Sequence, residues 1–193
     1  MLTARVAGRL QEAQIDASEA VTAQLADYLQ LLAKWNRTIN LTAFNLDAPT
    51  DAALDRLIVE PLTAARHIRP SDALMIDIGS GGGSPAIPIK IATPWLRVVL
   101  VESKTRKAAF LREAIRQLGL PGIQVDARRA EDLVARSDLI ESADVVTVRA
   151  VRVDDGLAGT IAALLKPAGR LLWFAGRDAP SLTLIGRETV IVK

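Results

Sequence analysis

The sequence predicts an α/β fold: a parallel sheet with helices on both faces, behind an N-terminal helical segment. Three observations predict it. From Ala73 onward, short apolar runs near 73–78, 97–102, 123–127, 144–148 and 170–175 alternate with helical stretches near 85–93, 105–118, 130–136 and 154–165. Alternating βα units of this length need crossover connections and hence parallel strands. The first run, Leu74-Met75-Ile76-Asp77-Ile78, ends in an acid and runs into Gly79-Ser80-Gly81-Gly82-Gly83. The second, Val98-Val99-Leu100-Val101, ends in Glu102. An open parallel sheet binds a nucleoside at such a place, with the glycine loop under the ligand and the second acid on its ribose hydroxyls.

Before the sheet, residues 4–14 and about 18–36 carry apolar residues at helical spacing, including Val21, Leu25, Tyr28, Leu29 and Leu32, with Asp16 or Ser18 as the cap of the second helix. Asn40-Leu41-Thr42-Ala43-Phe44 is irregular, and Pro49-Thr50 opens a third helix through Leu54, Leu57, Ile58, Leu62 and Ala65. Residues 1–70 are therefore expected to form a helical extension and 71–193 the core, together one globular unit. Lys166-Pro167-Ala168-Gly169 reads as a turn before the last strand, and the tail, Leu182–Ile185 with Thr189–Val192, as a short hairpin.

Half of the 193 residues are apolar, enough for a full core, and the net charge is +2. That balance does not by itself name a nucleic-acid partner. There is no cysteine, which removes disulfides and thiolate chemistry. No apolar run approaches the length of a membrane span, and Met1-Leu2-Thr3-Ala4-Arg5 lacks the apolar core of a secretory leader. The expectations are a cytoplasmic enzyme, a monomer, with no membrane association and no metal site.

The glycine spacing selects the nucleoside. A dinucleotide site wants Gly-x-Gly-x-x-Gly, and counting from Gly79 the third position is Ser84, followed by Pro85. What fits is acid-x-Gly-x-Gly-x-Gly over Asp77, Gly79, Gly81 and Gly83. This is similar to motif I of the class I S-adenosylmethionine-dependent methyltransferases, a Rossmann-like fold. The resemblance implies S-adenosylmethionine as cofactor, with Glu102 on the ribose hydroxyls and Asp77 holding the glycine loop by accepting its backbone N–H groups.

Other residues at the same rim are Ala130 and Glu131, past the third strand, and Arg149, at the end of the fourth. Glu131 or the Ala130 backbone suits contact with the adenine; Glu131 also suits a solvated acid favoured by a helix dipole. Arg149 suits the reaction centre, or an ordinary salt bridge to Asp144 or Asp154.

Absences narrow the reaction. Attack on a pyrimidine ring carbon calls for a cysteine nucleophile, and there is none. Where amino-methylating enzymes carry an Asn/Asp-Pro-Pro-aromatic segment, this chain reads Val146-Thr147-Val148-Arg149-Ala150-Val151. The lone histidine, His67, lies before the sheet, just ahead of Arg69-Pro70, and reads as a surface helix-end residue rather than a base. The chain is thus poor in general bases. Guanine N7 needs none, because its lone pair is free and attack releases no proton. Catalysis would then be positioning of donor methyl and nucleophile.

Basic residues cluster as a nucleic-acid surface would require: Lys104, Arg106, Lys107, Arg112 and Arg116 on the second core helix, and Arg128, Arg129, Arg149 and Arg152 near the rim. Arg106, Lys107, Arg128 and Arg152 are the strongest candidates for RNA contact, against an ordinary solvated helix face. Trp35 and Phe44 read as packing residues rather than base-stacking platforms.

Residues about 25–175 resemble the small-subunit (16S) ribosomal RNA guanine-N7 methyltransferases of the GidB (RsmG) type. The resemblance rests on Trp35-Asn36-x-x-Ile39-Asn40-Leu41-Thr42, on Asp77 through Pro88, on Val101-Glu102-Ser103-x-x-Arg106-Lys107-Ala108-Ala109-Phe110-Leu111-Arg112, on Arg129-Ala130-Glu131 and on Val148-Arg149-Ala150. It implies donor contacts at Gly79, Ser84, Ala130, Glu131 and Arg149, and 16S ribosomal RNA or the small ribosomal subunit as partner. Three departures stand out. Ser84 replaces a large apolar or aromatic residue. Arg56-Leu57 and Glu60-Pro61 replace an Arg-His pair and a downstream Asp-Ser. Only residues 176–193 follow the fifth predicted strand, a shortened C-terminus. Two other functions suit the same fold: a small-molecule methyltransferase, which would want a lidded apolar pocket, and a non-catalytic RNA-binding relative, against which Gly79, Glu102 and Glu131 argue.

Overall fold

The computed structural model describes residues 1–175 and 188–192. Among these, six strands form one sheet: β1 (Leu74–Ile78), β2 (Arg97–Val101), β3 (Ile123–Asp126), β4 (Ala143–Arg149), β5 (Leu165–Phe174) and β6 (Glu188–Val192). Their order is β3-β2-β1-β4-β5-β6, and every neighbouring pair is parallel. The chain runs outward from β1 to β3, then returns to place β4 on the other side of β1. That reversal opens a crevice at the carboxyl ends of β1 and β4, where open α/β sheets hold their ligands.

The period of two along each strand sorts side chains to two faces. Met75, Val98, Leu100, Val145 and Leu172 enter one core, shared with the helices α2 (Glu19–Asn36), α5 (Ala86–Ala92) and α6 (Thr105–Gln117). Ile76, Ile78, Val99, Val101, Val146 and Val148 enter the other, shared with α7 (Asp155–Leu164) and a 3-10 stretch, Ala130–Ala135. Because both faces are covered, the strands read as continuous apolar runs.

The N-terminal helices are part of the first core. Leu25, Tyr28, Leu29 and Leu32 line one stripe of α2 and are buried, and the hydroxyl of Ser18 accepts the Val21 N–H at 3.3 Å to cap that helix. Trp35 meets Phe110 of α6 edge-on, ring centroids 5.7 Å apart. Helix α1 (Leu2–Glu12) buries Val6 and Leu10.

The third predicted helix is interrupted. After α3 (Asp51–Leu54) the backbone widens into a π segment, Asp55–Val59, before α4 (Glu60–Ala65). The Glu60 N–H donates to the Asp55 carbonyl, five residues back. Pro61 then breaks the backbone ladder. It has no N–H, so Leu57 lacks its α-helical donor and Arg56 lacks its π-helical one. Both carbonyls therefore stay open to other donors.

Three further expectations are revised. Residues 130–136 form the 3-10 stretch rather than an α-helix. Strand β5 begins at Leu165 instead of about Arg170: a register shift between Ala143 and Val145 absorbs Lys166–Gly169, expected as a turn, inside the strand. Thr189–Val192 belongs to β6, which pairs in parallel with β5 rather than as one arm of a hairpin; Leu182–Ile185 lies outside the described residues. Among the described residues no helix is long and apolar enough to cross a membrane.

Candidate functional site: a glycine-floored cleft at the switch point

A cleft of about 620 Å3 opens at the carboxyl ends of β1, β2 and β4, within the roughly 300–1,000 Å3 of small-ligand sites. Its floor is Gly79, Ser80, Gly81 and Gly82; its walls are Asn40–Phe44, Arg56, Leu57, Ser84, Glu102–Lys104, Lys107 and Arg149–Val151.

The floor is shaped by glycine. Gly79 has φ +71° and a Cβ there would lie 2.5 Å from Val151 Cγ2; Gly83 has φ +88° and its Cβ would lie 2.5 Å from Ile87 Cδ1. Gly79 thus keeps the cleft open, and Gly83 lets the loop seat on α5 and α6. From below, the buried hydroxyl of Tyr28 donates to the Gly82 carbonyl at 2.7 Å.

The loop-holding role expected of Asp77 falls to the other acid. Glu102, not Asp77, holds the loop: its carboxylate accepts the Gly81 N–H at 2.9 Å and the Lys104 N–H at 2.8 Å. Each carboxylate oxygen keeps a second acceptor position, and Glu102 lines the cleft. Asp77 lies beneath the loop and does not line it. It is buried, its Oδ1 accepts from Thr147 Oγ1 at 2.5 Å, and its Oδ2 has no partner among the described residues. Desolvation raises its pKa to about 6, against the lowering effect of the Thr147 and Ser80 hydroxyls and of Arg149.

Arg149 is not the open rim charge that its position suggests, and neither Asp144 nor Asp154 pairs with it. Nη1 donates to the Arg56 carbonyl at 2.6 Å and to Ser84 Oγ at 2.8 Å, and Nη2 reaches Glu60 at 2.9 Å. The guanidinium carbon lies 4.2 Å from the ring centre of Phe174. Only 9% of the side chain is exposed, and burial lowers its pKa to about 10, leaving it charged at neutral pH. Ser84 completes the arrangement by donating to the Leu57 carbonyl at 3.0 Å. The two carbonyls that Pro61 leaves open are the two that Arg149 and Ser84 occupy.

One wall is a strap, residues 37–50, that crosses over the loop. Asn36 pins it at the end of α2: its side-chain oxygen accepts the N–H groups of Leu41 and Thr42 at 2.9 and 3.0 Å. Arg106 adds a bond to the Thr38 carbonyl at 3.1 Å.

Of the expected donor-binding residues, the structure brings Gly79, Gly81, Ser84, Glu102 and Arg149 to the cleft, sets Asp77 and Gly83 beneath it, and leaves Ala130 and Glu131 outside its lining, with Glu131 exposed. Of the expected RNA contacts, Lys107 lines the cleft, and Arg106 and Arg152 are exposed. Arg128 is instead spent on Asp126, at 2.5 Å, beside Arg136. Sequence reasoning missed Tyr28, whose hydroxyl alone distinguishes it in an apolar stripe, and it missed Asn36, Phe44 and Arg56 as parts of the site. An asparagine at a helix end, leading into an irregular polar segment, was the available signal for Asn36.

Comparisons with known proteins give the family and the fold. Residues 21–183 match the family model described as rRNA small subunit methyltransferase G. The chain is 40% identical over 179 residues to the ribosomal RNA small subunit methyltransferase G of Stenotrophomonas maltophilia, covering 91% of this chain and 79% of that one. It is 36% identical over 173 residues to the Neisseria meningitidis protein of the same name, covering 90% and 78%. Among solved structures, a Plasmodium falciparum protein assigned as a protein-L-isoaspartate O-methyltransferase, in complex with S-adenosyl-L-homocysteine, superposes with a TM-score of 0.57 at 15% identity, over 92% of this chain and 85% of that one. An Aquifex aeolicus SAM-dependent methyltransferase superposes with a TM-score of 0.51 at 14% identity, over 66% and 71%. The fold is that of class I methyltransferases, and the chain belongs to the ribosomal RNA small subunit methyltransferase G family.

Proposed function

We propose that the protein transfers the methyl group of S-adenosylmethionine to N7 of a guanosine in small-subunit (16S) ribosomal RNA. The observation that carries the reading is a cleft able to hold a nucleoside donor and devoid of a general base. Among the described residues, no histidine or cysteine lines it, and its single carboxylate, Glu102, is tied to two backbone N–H groups. N7 attacks with a free lone pair, so no proton has to be removed.

The residues fit the donor. Gly79 and Gly81 let backbone approach it, and Glu102 has acceptor positions left for ribose hydroxyls. The donor supplies an activated methyl on a sulfonium. The chain supplies orientation and exclusion of water, which is where a positioned two-substrate reaction gains its rate. Asp77 gives negative potential beneath the loop. Arg149 sets the wall between the loop and the π segment. The partner is the RNA or the small subunit, met in the cytoplasm by a monomer.

The test is methylation of small-subunit RNA lacking the modification, with mass mapping of the product. N7-methylguanosine at one site is expected; a methyl group on any other atom, or none, overturns the reading.

A further inference from the structure

We infer that Arg56 and Phe44 form the seat of the acceptor base, Phe44 as the ring it stacks on and Arg56 as the donor to guanine O6. The inference rests on the guanine-N7 reading. Arg149 is poorly placed for that contact. It is nearly buried, and its two terminal nitrogens are engaged by Arg56, Ser84 and Glu60. Arg56 is the opposite case. One nitrogen, Nη1, donates to Glu60 at 2.6 Å, while Nε and Nη2 have no partner among the described residues. Its side chain is 33% exposed, and it lines the same cleft beside Arg149, whose guanidinium holds the Arg56 backbone. The site needs a single-point donor, because N7 must stay free to attack; an arginine already committed to a carboxylate through one nitrogen provides that. Guanine O6 accepts, whereas the corresponding amino group of adenine donates, so a guanidinium here selects guanine.

Phe44 supplies the other element. Among the described residues, two aromatic side chains line the cleft. Tyr28 is fully buried beneath the loop, while Phe44 is half-buried, packed against the core and lining the cleft. The strap that carries it is pinned by Asn36 at Leu41 and Thr42, and the Phe44 N–H donates to Thr42 Oγ1 at 3.3 Å, so the backbone that bears the ring is held before the base arrives. Stacking on such a ring is indifferent to base identity; selection falls to Arg56.

The experiment uses single-turnover methylation of small-subunit RNA, with either guanosine or 2-aminopurine riboside at the mapped target. The latter keeps N7 and lacks the 6-oxygen. The wild-type protein should methylate the guanosine RNA at least tenfold faster than the 2-aminopurine RNA. In Arg56→Met the two rates should converge; an unchanged ratio overturns the role of Arg56. Phe44→Leu, which keeps apolar volume, should lose roughly tenfold or more in kcat/KM for RNA, and Phe44→Trp should retain activity; equal rates for all three overturn the role of Phe44. S-adenosylhomocysteine affinity by calorimetry should be unchanged in each variant, and a parallel fall would move these residues to the donor side and overturn the inference. If the wild-type protein leaves N7 unmodified, the proposed function itself fails, a result distinct from either outcome.

Discussion

Arg149 donates to the carbonyl oxygen of Arg56, 93 residues away in sequence, at 2.6 Å. The bond exists because Pro61 cannot donate to that carbonyl within the π segment, and Ser84 fills the neighbouring gap at Leu57. A proline in the N-terminal helices and two polar side chains on the sheet rim thus form one joint, which fixes the helices against the glycine loop.

Arg149→Ala should consequently destabilise the protein, on the order of 3 kcal/mol, as when one partner of a buried ion pair is removed. It takes the donor away from the Arg56 carbonyl and the Ser84 hydroxyl, and strips Phe174 of its cation. Urea unfolding is the measurement. A loss below about 0.5 kcal/mol would show the side chain to be an ordinary surface charge.

Asp77 predicts a pH dependence with a definite sign. Its folded pKa lies near 6, against an ordinary value of 3.8. A raised carboxyl pKa means that the folded state binds the proton more tightly. Stability from this group is therefore greatest below about pH 4 and falls as pH rises through about 6. The difference between wild-type and Asp77→Asn stability should change by about 3 kcal/mol across that window, at about 1.4 kcal/mol for each pH unit between the two values. A flat difference curve would mean that Asp77 is solvated.

The sheet was legible because a parallel sheet covered on both faces writes each strand as an apolar run, and because the acid-plus-glycine loop has few other uses. Elements that obey local rules, such as the Ser18 cap, were legible too. The π segment was not. Its apolar spacing is that of an α-helix, and only the pairing of Pro61 with distant donors makes it intelligible. The roles of Asp77 and Glu102 were also beyond the sequence. Both end strands, and only the depth of the loop decides which one receives its N–H groups. Arg149 looked exposed because strand ends usually are; it is covered by residues that arrive from the N-terminal helices.

The two loop glycines should fail differently. Both alanines inherit a left-handed φ, which costs about 1–2 kcal/mol at either position, but Gly83→Ala also drives its methyl into Ile87 and against Leu111 of the core. Gly79→Ala meets only Val151, a cleft residue. Thermal unfolding should fall most in Gly83→Ala, and S-adenosylhomocysteine affinity should fall most, relative to stability, in Gly79→Ala. Equal ratios of the two effects would mean that Gly79 does not face the donor.

Glu102→Ala removes the acceptor of two backbone N–H groups as well as the proposed ribose contact. Donor affinity should fall by roughly 1–3 kcal/mol, as for a charge-assisted bond. Unchanged affinity in calorimetry would take Glu102 out of the donor site.

RNA affinity should depend on which cations are free. Lys107 and Arg152 make no ion pair among the described residues, and Arg106 donates only to a carbonyl, whereas Arg128 is already neutralised by Asp126. Phosphate contacts release condensed counterions, so affinity should fall steeply with salt. Replacing Arg106 or Lys107 by glutamate should weaken binding to related and unrelated RNAs alike, because such contacts position the chain without reading bases. It should also flatten the salt slope. Arg128→Gln should leave the slope nearly unchanged, since its charge is spent inside the protein; its cost should emerge instead as lost stability around the buried Asp126. Filter binding across a salt series separates the two classes. A slope reduced as much by Arg128→Gln as by Lys107→Glu would mean that the Asp126 pair opens to admit RNA, and that the rim past β3 is part of the binding surface.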